Sequence, residues 1–362
     1  MKKVLFCAST ESHIVNFHLP YLKAFRDMGY EVHVAVNKSV PIPWADKVIA
    51  IPFYKSILSP RNICALLKAY RLLKQENYEK MSTHTTLAGV IMRLAALLIR
   101  KRPKIYHIVH GYIFNLSSGL KKYMYLIPEK LSALVSDVVM VMNQEDYEIA
   151  QRYHLYKEKL HFINGIGIDP IRFKVISEED KQRQKEKLGF TKDDFLFVYA
   201  AEFSKRKNQR MLIEAFAHCK PLNTHLLLAG SGKELESCKR LVNKLKVTDQ
   251  IHFLGYVNDV PTLYSACDAV VSTSRVEGLP FNIIEALGCG LPVFASNIKG
   301  HRDLCQDCIN CFLFDNKDEL QNYVNNCREL IRAGQSSNVR KKAESYTLNA
   351  VFDTIKDYYF DD

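Results

Sequence analysis

The sequence predicts an α/β protein made of two Rossmann-like, doubly wound parallel-sheet domains, and three observations carry that reading. Short β-branched or apolar runs alternate with helical patterns nearly from end to end, the rhythm of βαβ units in which a crossover helix follows each strand. The 362 residues exceed what one hydrophobic core usually organises, so two domains are the natural division. The pattern breaks once, at residues 162–173 (FINGIGIDPIRF), where Gly165, Gly167 and Pro170 interrupt it before the polar stretch SEEDKQRQKEKLG.

Strands are expected at 4–8, 31–36, 104–109 and 137–142, and then at 195–200, 225–229, 269–272 and 292–295. These runs are mostly β-branched or apolar, as strands buried on both faces are. Helices are expected between them, at 61–76, 87–100, 144–153, 209–219 and 234–245. The last helical pattern, SYTLNAVFDTIKDYYF at 345–360, sets aromatic and aliphatic residues at helical spacing. The domains are accordingly expected at 1–166 and 167–344. In such sheets ligands bind beyond the carboxyl ends of the strands, which gives most weight to the residues just after each strand.

With 48% apolar and 25% charged residues the chain has the composition of a folded globular protein, not of a disordered one. No apolar run reaches the roughly 18 residues of a spanning helix, and the N-terminus looks like a strand, not an export signal. A cytoplasmic protein is therefore expected. Ten cysteines in such a chain read as reduced thiols; Cys305, Cys308 and Cys311 have metal-ligand spacing but lack a fourth ligand, so no metal is expected there.

The formal charge of +11 is concentrated in residues 1–170, where 23 Lys and Arg face 13 Asp and Glu. No nucleic-acid-binding motif accompanies it, so nucleic acid is not expected as a partner. The basic residues are mixed with Leu, Ile and Tyr in RNICALLKAYRLLKQ, RLAALLIRKRPK and LKKYMYLIPEKL, as in helices that lie on anionic membranes. Solvated helix faces are the plain alternative.

The most informative stretch is VEGLPFNIIEALGCGLPV, residues 276–293, with Glu277 and Glu285 on either side of a Gly-Leu-Pro turn. Pro280 suits the first helical position, so the amides of Phe281, Asn282 and Ile283 are expected to point outward as an anion site. The carboxylates fall on the order of 10 Å apart, too far for a retaining hydrolytic pair at about 5.5 Å. They suit a ligand with hydroxyls at both ends and phosphates between, as in a nucleotide-sugar. A surface helix acid and a loop acid would share the same spacing.

This stretch resembles the Glu-x7-Glu signature of retaining glycosyltransferases of family 4. SHIVNFHLPYLKAFRDMGYEVHVAVN, HTTLAGVIMRLAA, VHGYIF, NQEDYEIAQRY, INGIGID, AEFSKRKNQRMLIEAF, LLLAGSGKELE and KGHRDL resemble the bacterial capsule, exopolysaccharide and O-antigen branch of that family. The resemblance implies a GT-B fold, two Rossmann-like domains facing a cleft, with the helical segment 345–362 crossing back onto the N-terminal acceptor domain and 167–344 binding the donor. It implies transfer of a hexose or N-acetylhexosamine from a UDP-sugar to a lipid-linked oligosaccharide, with no cofactor and no metal, peripherally on the inner face of the plasma membrane.

Residue by residue, it implies that Glu285 holds the ribose, Glu277 the transferred sugar, Lys207 the diphosphate, and that His110 lies beside the sugar. Gly278, Leu279, Phe281, Asn282, Ile283 and Gly230 would complete the donor site; Thr10, Ser12, His13 and His84 would face the acceptor. The chain departs from the pattern at Ala201-Glu202, where relatives have Gly-Arg, so Arg206 or Arg275 is expected to replace the missing phosphate-binding arginine. The first turn also lacks a Gly-Gly pair, and Cys311 stands where glycine is usual. Two other activities share this architecture: a sugar-nucleotide epimerase, and a non-catalytic sugar-nucleotide-binding protein.

Overall fold

The computed structural model describes residues 1–54, 59–112, 114, 119–219 and 223–360. The chain divides into two compact units, Met1–Gly167 with Val351–Asp362, and Ile168–Ala350.

The first unit is a seven-stranded sheet: β1 (Lys3–Cys7), β2 (Glu31–Val36), β3 (Lys47–Ala50), β4 (Lys80–Thr83), β5 (Lys104–Val109), β6 (Val138–Val141) and β7 (Lys159–Phe162). Their spatial order is β3-β2-β1-β4-β5-β6-β7 with every pair parallel. The second unit repeats the plan with β8 (Phe195–Ala200), β9 (Thr224–Ala229), β10 (Ile251–Gly255), β11 (Ala269–Ser272), β12 (Val293–Ser296) and β13 (Cys311–Phe314), ordered β10-β9-β8-β11-β12-β13, again all parallel. The expected α/β fold of two doubly wound sheets is what the chain adopts. In each, the order reverses beside the first strand, which opens a crevice at the carboxyl ends of β1 and β4, and of β8 and β11.

The central strands explain their own continuous apolarity. Val4, Leu5, Phe6 and Cys7 of β1 are fully buried, as are Leu196, Phe197 and Val198 of β8, because helices cover both faces. Five strands were not anticipated: β3, β4, β7, β10 and β13. Four of them, β3, β7, β10 and β13, lie at sheet edges, where partly exposed residues blur the pattern; β4 (KMST) is central yet carries one large apolar residue. The helix over the signature stretch runs Phe281–Gly288 with Pro280 as its N-cap, one residue later than expected.

The returning segment joins the first unit from Val351, later than the expected 345. Backbone bonds tie its start to Ile168: the Ile168 N–H donates to Tyr346 O at 3.0 Å and the Leu348 N–H to Ile168 O at 2.8 Å. Further on, Tyr359 is buried among Phe6, Phe25 and Tyr106, and its hydroxyl lies 2.6 Å from Ser82 Oγ.

Candidate active-site residues in the two units

In the second unit, the loops after β8 and β11 bring Arg206, Lys207 and Glu277 together. The turn bearing Lys207 is clamped from below: Tyr199 Oη donates to Lys207 O at 3.0 Å, Thr273 Oγ1 to Asn208 O at 3.0 Å, and the Arg275 N–H to Arg206 O at 2.8 Å. So held, Lys207 Nζ meets Glu277 Oε1 at 2.6 Å and Arg206 Nη1 meets Oε2 at 2.7 Å. Glu277 and Lys207 are both buried. Burial alone would raise the Glu277 carboxyl, but Lys207 and Arg206 outweigh it and hold it below its ordinary range. Burial also lowers the Lys207 ammonium, with Glu277 opposing.

Of the two arginines expected at the phosphates, the structure brings only Arg206 to Glu277. Arg275 turns away: its Nη2 donates to Asn208 Oδ1 at 3.2 Å, and it lines a separate hollow of about 340 Å³ with Lys205, Arg210 and Glu234. Ala201 and Glu202 have another task. A Cβ on Gly230, which has φ +140°, would stand 2.1 Å from Ala201 O, so glycine there lets the loops after β8 and β9 close on each other.

Glu285, in the second turn of Phe281–Gly288, keeps some exposure, yet burial of its carboxyl pushes it up to about 7, with Arg172 opposing. The anion site ahead of this helix is smaller than expected. The Ile283 N–H is taken by Pro280 O at 3.0 Å, since the first turn tightens to i→i+3 bonding. Asn282 instead offers a side-chain donor, Nδ2, buried without a hydrogen-bond partner among the described residues. Leu279 is buried, and Gly278 is pinned by Gly300, where a Cβ would lie 2.3 Å from Gly278 O.

Reading the sequence missed His301. It lies fully buried after β12, with Nδ1 at 2.7 Å from Ser296 O and Nε2 at 3.3 Å from Ser272 Oγ. Burial lowers it to about 4, so it is a neutral hydrogen-bonding post in the floor that also holds Ser274. The signal lay in the KGHRDL block.

In the first unit the turns after β1, β4 and β5 gather His13, His84 and His110, together with His18, which the sequence reading passed over. Their ligand-capable nitrogens lie within 4.8 Å of one another. Burial lowers all four imidazoles, His13 to about 4, and in His18, His84 and His110 neighbouring rings push the same way. They are neutral at neutral pH. Thr10 and Ser12 sit at the rim, their hydroxyls 3.1 Å apart.

Two doubly wound parallel sheets, the second with Lys207, Arg206 and Glu277 beyond its strand ends, have the plan of the GT-B class of glycosyltransferases. The family described as "Glycosyl transferases group 1" matches residues 180–347 and "Glycosyltransferase Family 4" matches residues 21–170. EpsD of Bacillus subtilis (strain 168), a glycosyltransferase by assignment, is 33% identical over 99% of this chain and 97% of its own. The Escherichia coli UDP-Gal:alpha-D-GlcNAc-diphosphoundecaprenol alpha-1,3-galactosyltransferase is 28% identical over 83% of this chain and 80% of its own. In fold, Anabaena HepE, solved in complex with UDP and glucose, superposes with a TM-score of 0.78 at 22% identity over 99% of both chains. The chain belongs to glycosyltransferase family 4 and is a glycosyltransferase.

Proposed function

We propose that the protein transfers a hexose or N-acetylhexosamine, with retention of configuration, from a UDP-sugar to a lipid-linked oligosaccharide during surface-polysaccharide assembly. The observation that carries this is the pairing of buried Glu277 with buried Lys207 and with Arg206 at the solvent edge. A leaving diphosphate gathers negative charge as the sugar becomes oxocarbenium-like, and two preorganised cations stabilise it most where water is excluded. On this reading Lys207 and Arg206 bind the diphosphate, and Glu277, released from part of its ion pairing, accepts from the sugar hydroxyls. Glu285 accepts from the ribose, and Asn282 donates to the bridge. The departing phosphate oxygen takes the acceptor's proton on the same face. The second unit is then the donor domain, and the reading needs no metal at the diphosphate. The first is the acceptor domain, with Thr10, Ser12, His13 and His84 toward the acceptor and His110 beside the sugar.

The lipid-linked acceptor has its own support. In the helix Gly119–Ala133 the exposed Leu120, Tyr123, Ile127 and Leu131 recur along one face, and exposed Leu134 continues it. An apolar groove of about 420 Å³, lined by Ile63, Leu66, Leu87, Val90, Leu94 and Tyr125, opens in the same unit. Among the described residues no helix is long and apolar enough to cross a membrane. An apolar stripe among lysines therefore provides peripheral attachment. The relative named as acting on a diphosphoundecaprenol-linked sugar has this acceptor chemistry.

Thermal stabilisation by a nucleotide panel tests the donor assignment. UDP and UDP-sugars at about 100 times their Kd are expected to add about 2.7 kcal/mol, ADP and GDP much less, and Lys207→Ala to abolish the effect. Equal stabilisation by all bases would remove the UDP assignment.

A further inference from the structure

The glycosyl-transfer reading uses His13, His84 and His110 one by one, and leaves unexplained why they close into a single group with His18. They come from three adjacent strand ends and the helix junction beside them: His13 from the helix Glu11–Phe17 after β1, His18 from the residue joining it to Leu19–Asp27, His84 from the end of β4, and His110 from the end of β5. Such a placement is held by the sheet, not by a loose loop.

Their nitrogens are orphaned. His13 Nε2, His18 Nδ1 and Nε2, His84 Nδ1 and His110 Nε2 are all buried with no hydrogen-bond partner among the described residues. Each such atom costs about 1–3 kcal/mol if it stays unmatched, so five in one place call for a ligand. At His84 the outer contact is organised as metal sites organise theirs. Ser82 Oγ, itself 2.6 Å from Tyr359 Oη, lies 3.0 Å from His84 Nε2, which fixes that ring and leaves Nδ1 facing the group. Glu11 buries a further unmatched oxygen, Oε2, two residues before His13.

We propose that His13, His18, His84 and His110 form a binding site for a divalent transition-metal ion of the Zn²⁺ class. Neutral imidazole is the ligand such ions favour. Two imidazoles on one tetrahedral ion place their ring centres about 5 Å apart. The pairs His13–His110, His13–His18 and His13–His84 stand at 4.6, 5.2 and 5.9 Å, and His84–His110 at 6.1 Å. His18 and His110 stand at 6.5 Å, and His18 and His84 lie tilted at 33° with centres 3.7 Å apart, so an ion bound by both must part these two rings. It enters past His13 and His110, the partly exposed pair, toward His18 and His84, which are closed to solvent. Its role is to tie the ends of β1, β4 and β5 together. The site shares His13, His84 and His110 with the residues proposed to face the acceptor and the sugar but does not rest on that reading, so occupancy is measured without turnover.

The experiment uses the full chain, free of any affinity tag and stripped with chelator, titrated with ZnCl₂ by calorimetry and with CoCl₂ by absorption. One ion per chain is expected, with the intense visible bands of tetrahedral Co²⁺, no thiolate charge-transfer band, and a rise in Tm with Zn²⁺. His13→Gln, at the exposed side, and His84→Gln are each expected to weaken binding tenfold or more. A Cys305→Ser/Cys308→Ser/Cys311→Ser variant is expected to bind as the parent does. Absence of stoichiometric binding overturns the proposal. So does undiminished binding in His13→Gln, or a thiolate band that vanishes in the cysteine variant.

Discussion

Glu285→Gln separates a stability effect from a binding effect at one atom. The Glu285 carboxyl ordinarily titrates at 4.5 and is pushed up to about 7 where it sits. Its folded pKa is therefore above its unfolded one: the native state holds the proton longer, and stability present below the unfolded value is lost as pH rises toward 7. A shift of that size corresponds to about 3 kcal/mol at roughly 1.4 kcal/mol per unit, and partial exposure reduces it to about 1–3 kcal/mol. Gln has no proton to lose. In hydrogen exchange or thermal melts, Glu285→Gln is expected to match the parent near about pH 4 and to exceed it by that amount near about pH 8. Nucleotide binding should move the other way. A carboxylate accepts ribose hydroxyls better than an amide does, so UDP affinity is expected to fall about 10- to 100-fold in the variant. In the parent, UDP affinity should climb as pH rises through 7. A stability difference that is the same at both pH values would refute the electrostatic argument. Unchanged UDP affinity would refute the ribose assignment.

Other expectations follow from particular contacts. Arg206→Ala should lower kcat by about 10²- to 10³-fold in donor-saturated kinetics, whereas Arg275→Ala should cost little, because only Arg206 reaches Glu277; equal losses would reverse the choice. Arg93 is buried with its Nη2 at 2.8 Å from Glu129 Oε2, so Arg93→Met should destabilise the first unit by about 3–5 kcal/mol in denaturant unfolding, and Arg93→Met/Glu129→Leu should recover most of it. Removal of residues 351–362 should uncover Phe6, Phe25 and Tyr106 and lower Tm together with a rise in dye-binding apolar surface; an unchanged Tm would deny the returning helix its packing role. On liposomes, Leu120→Ser/Ile127→Ser/Leu134→Ser with Lys101→Gln and Lys122→Gln should abolish sedimentation with anionic vesicles, and the parent's binding should weaken as salt rises. Arg102 is left intact in that variant because it is fastened to Asp137 at 2.6 and 2.7 Å, and its loss would disturb the fold instead of the surface.

The central strands were readable because burial on both faces favours continuous apolar runs, nearly unbroken in β1 and β8 and interrupted in β2 and β5 only by a first-residue charge and by His33 and His107. Strand β4 was not, since KMST becomes a strand through pairing with β1 and β5 and not through its own composition. At the site, one stretch of chain carries both Glu277 and Glu285, and their separation spoke for a long ligand with hydroxyls at both ends. The partner of Glu277 was hidden: Lys207 lies far away in sequence, and no spacing rule joins two strand ends. The histidines show the same limit. His13 and His110 were visible as residues following expected strands and His84 only through the family resemblance, but only the order β1-β4-β5 in the sheet makes them neighbours and adds His18.

Sugar transfer itself can be measured directly. The protein is incubated with labelled UDP-hexoses and UDP-N-acetylhexosamines and a polyprenyl-diphosphate-linked saccharide, and the product's anomeric configuration is read by NMR beside the Glu277→Ala and Lys207→Ala variants. One donor is expected to yield an extended lipid-linked product whose new linkage keeps the donor's configuration, with both variants slower by 100-fold or more. Inverted linkage, isomerised donor without transfer, or variants as active as the parent would contradict the mechanism built on Lys207, Arg206 and Glu277.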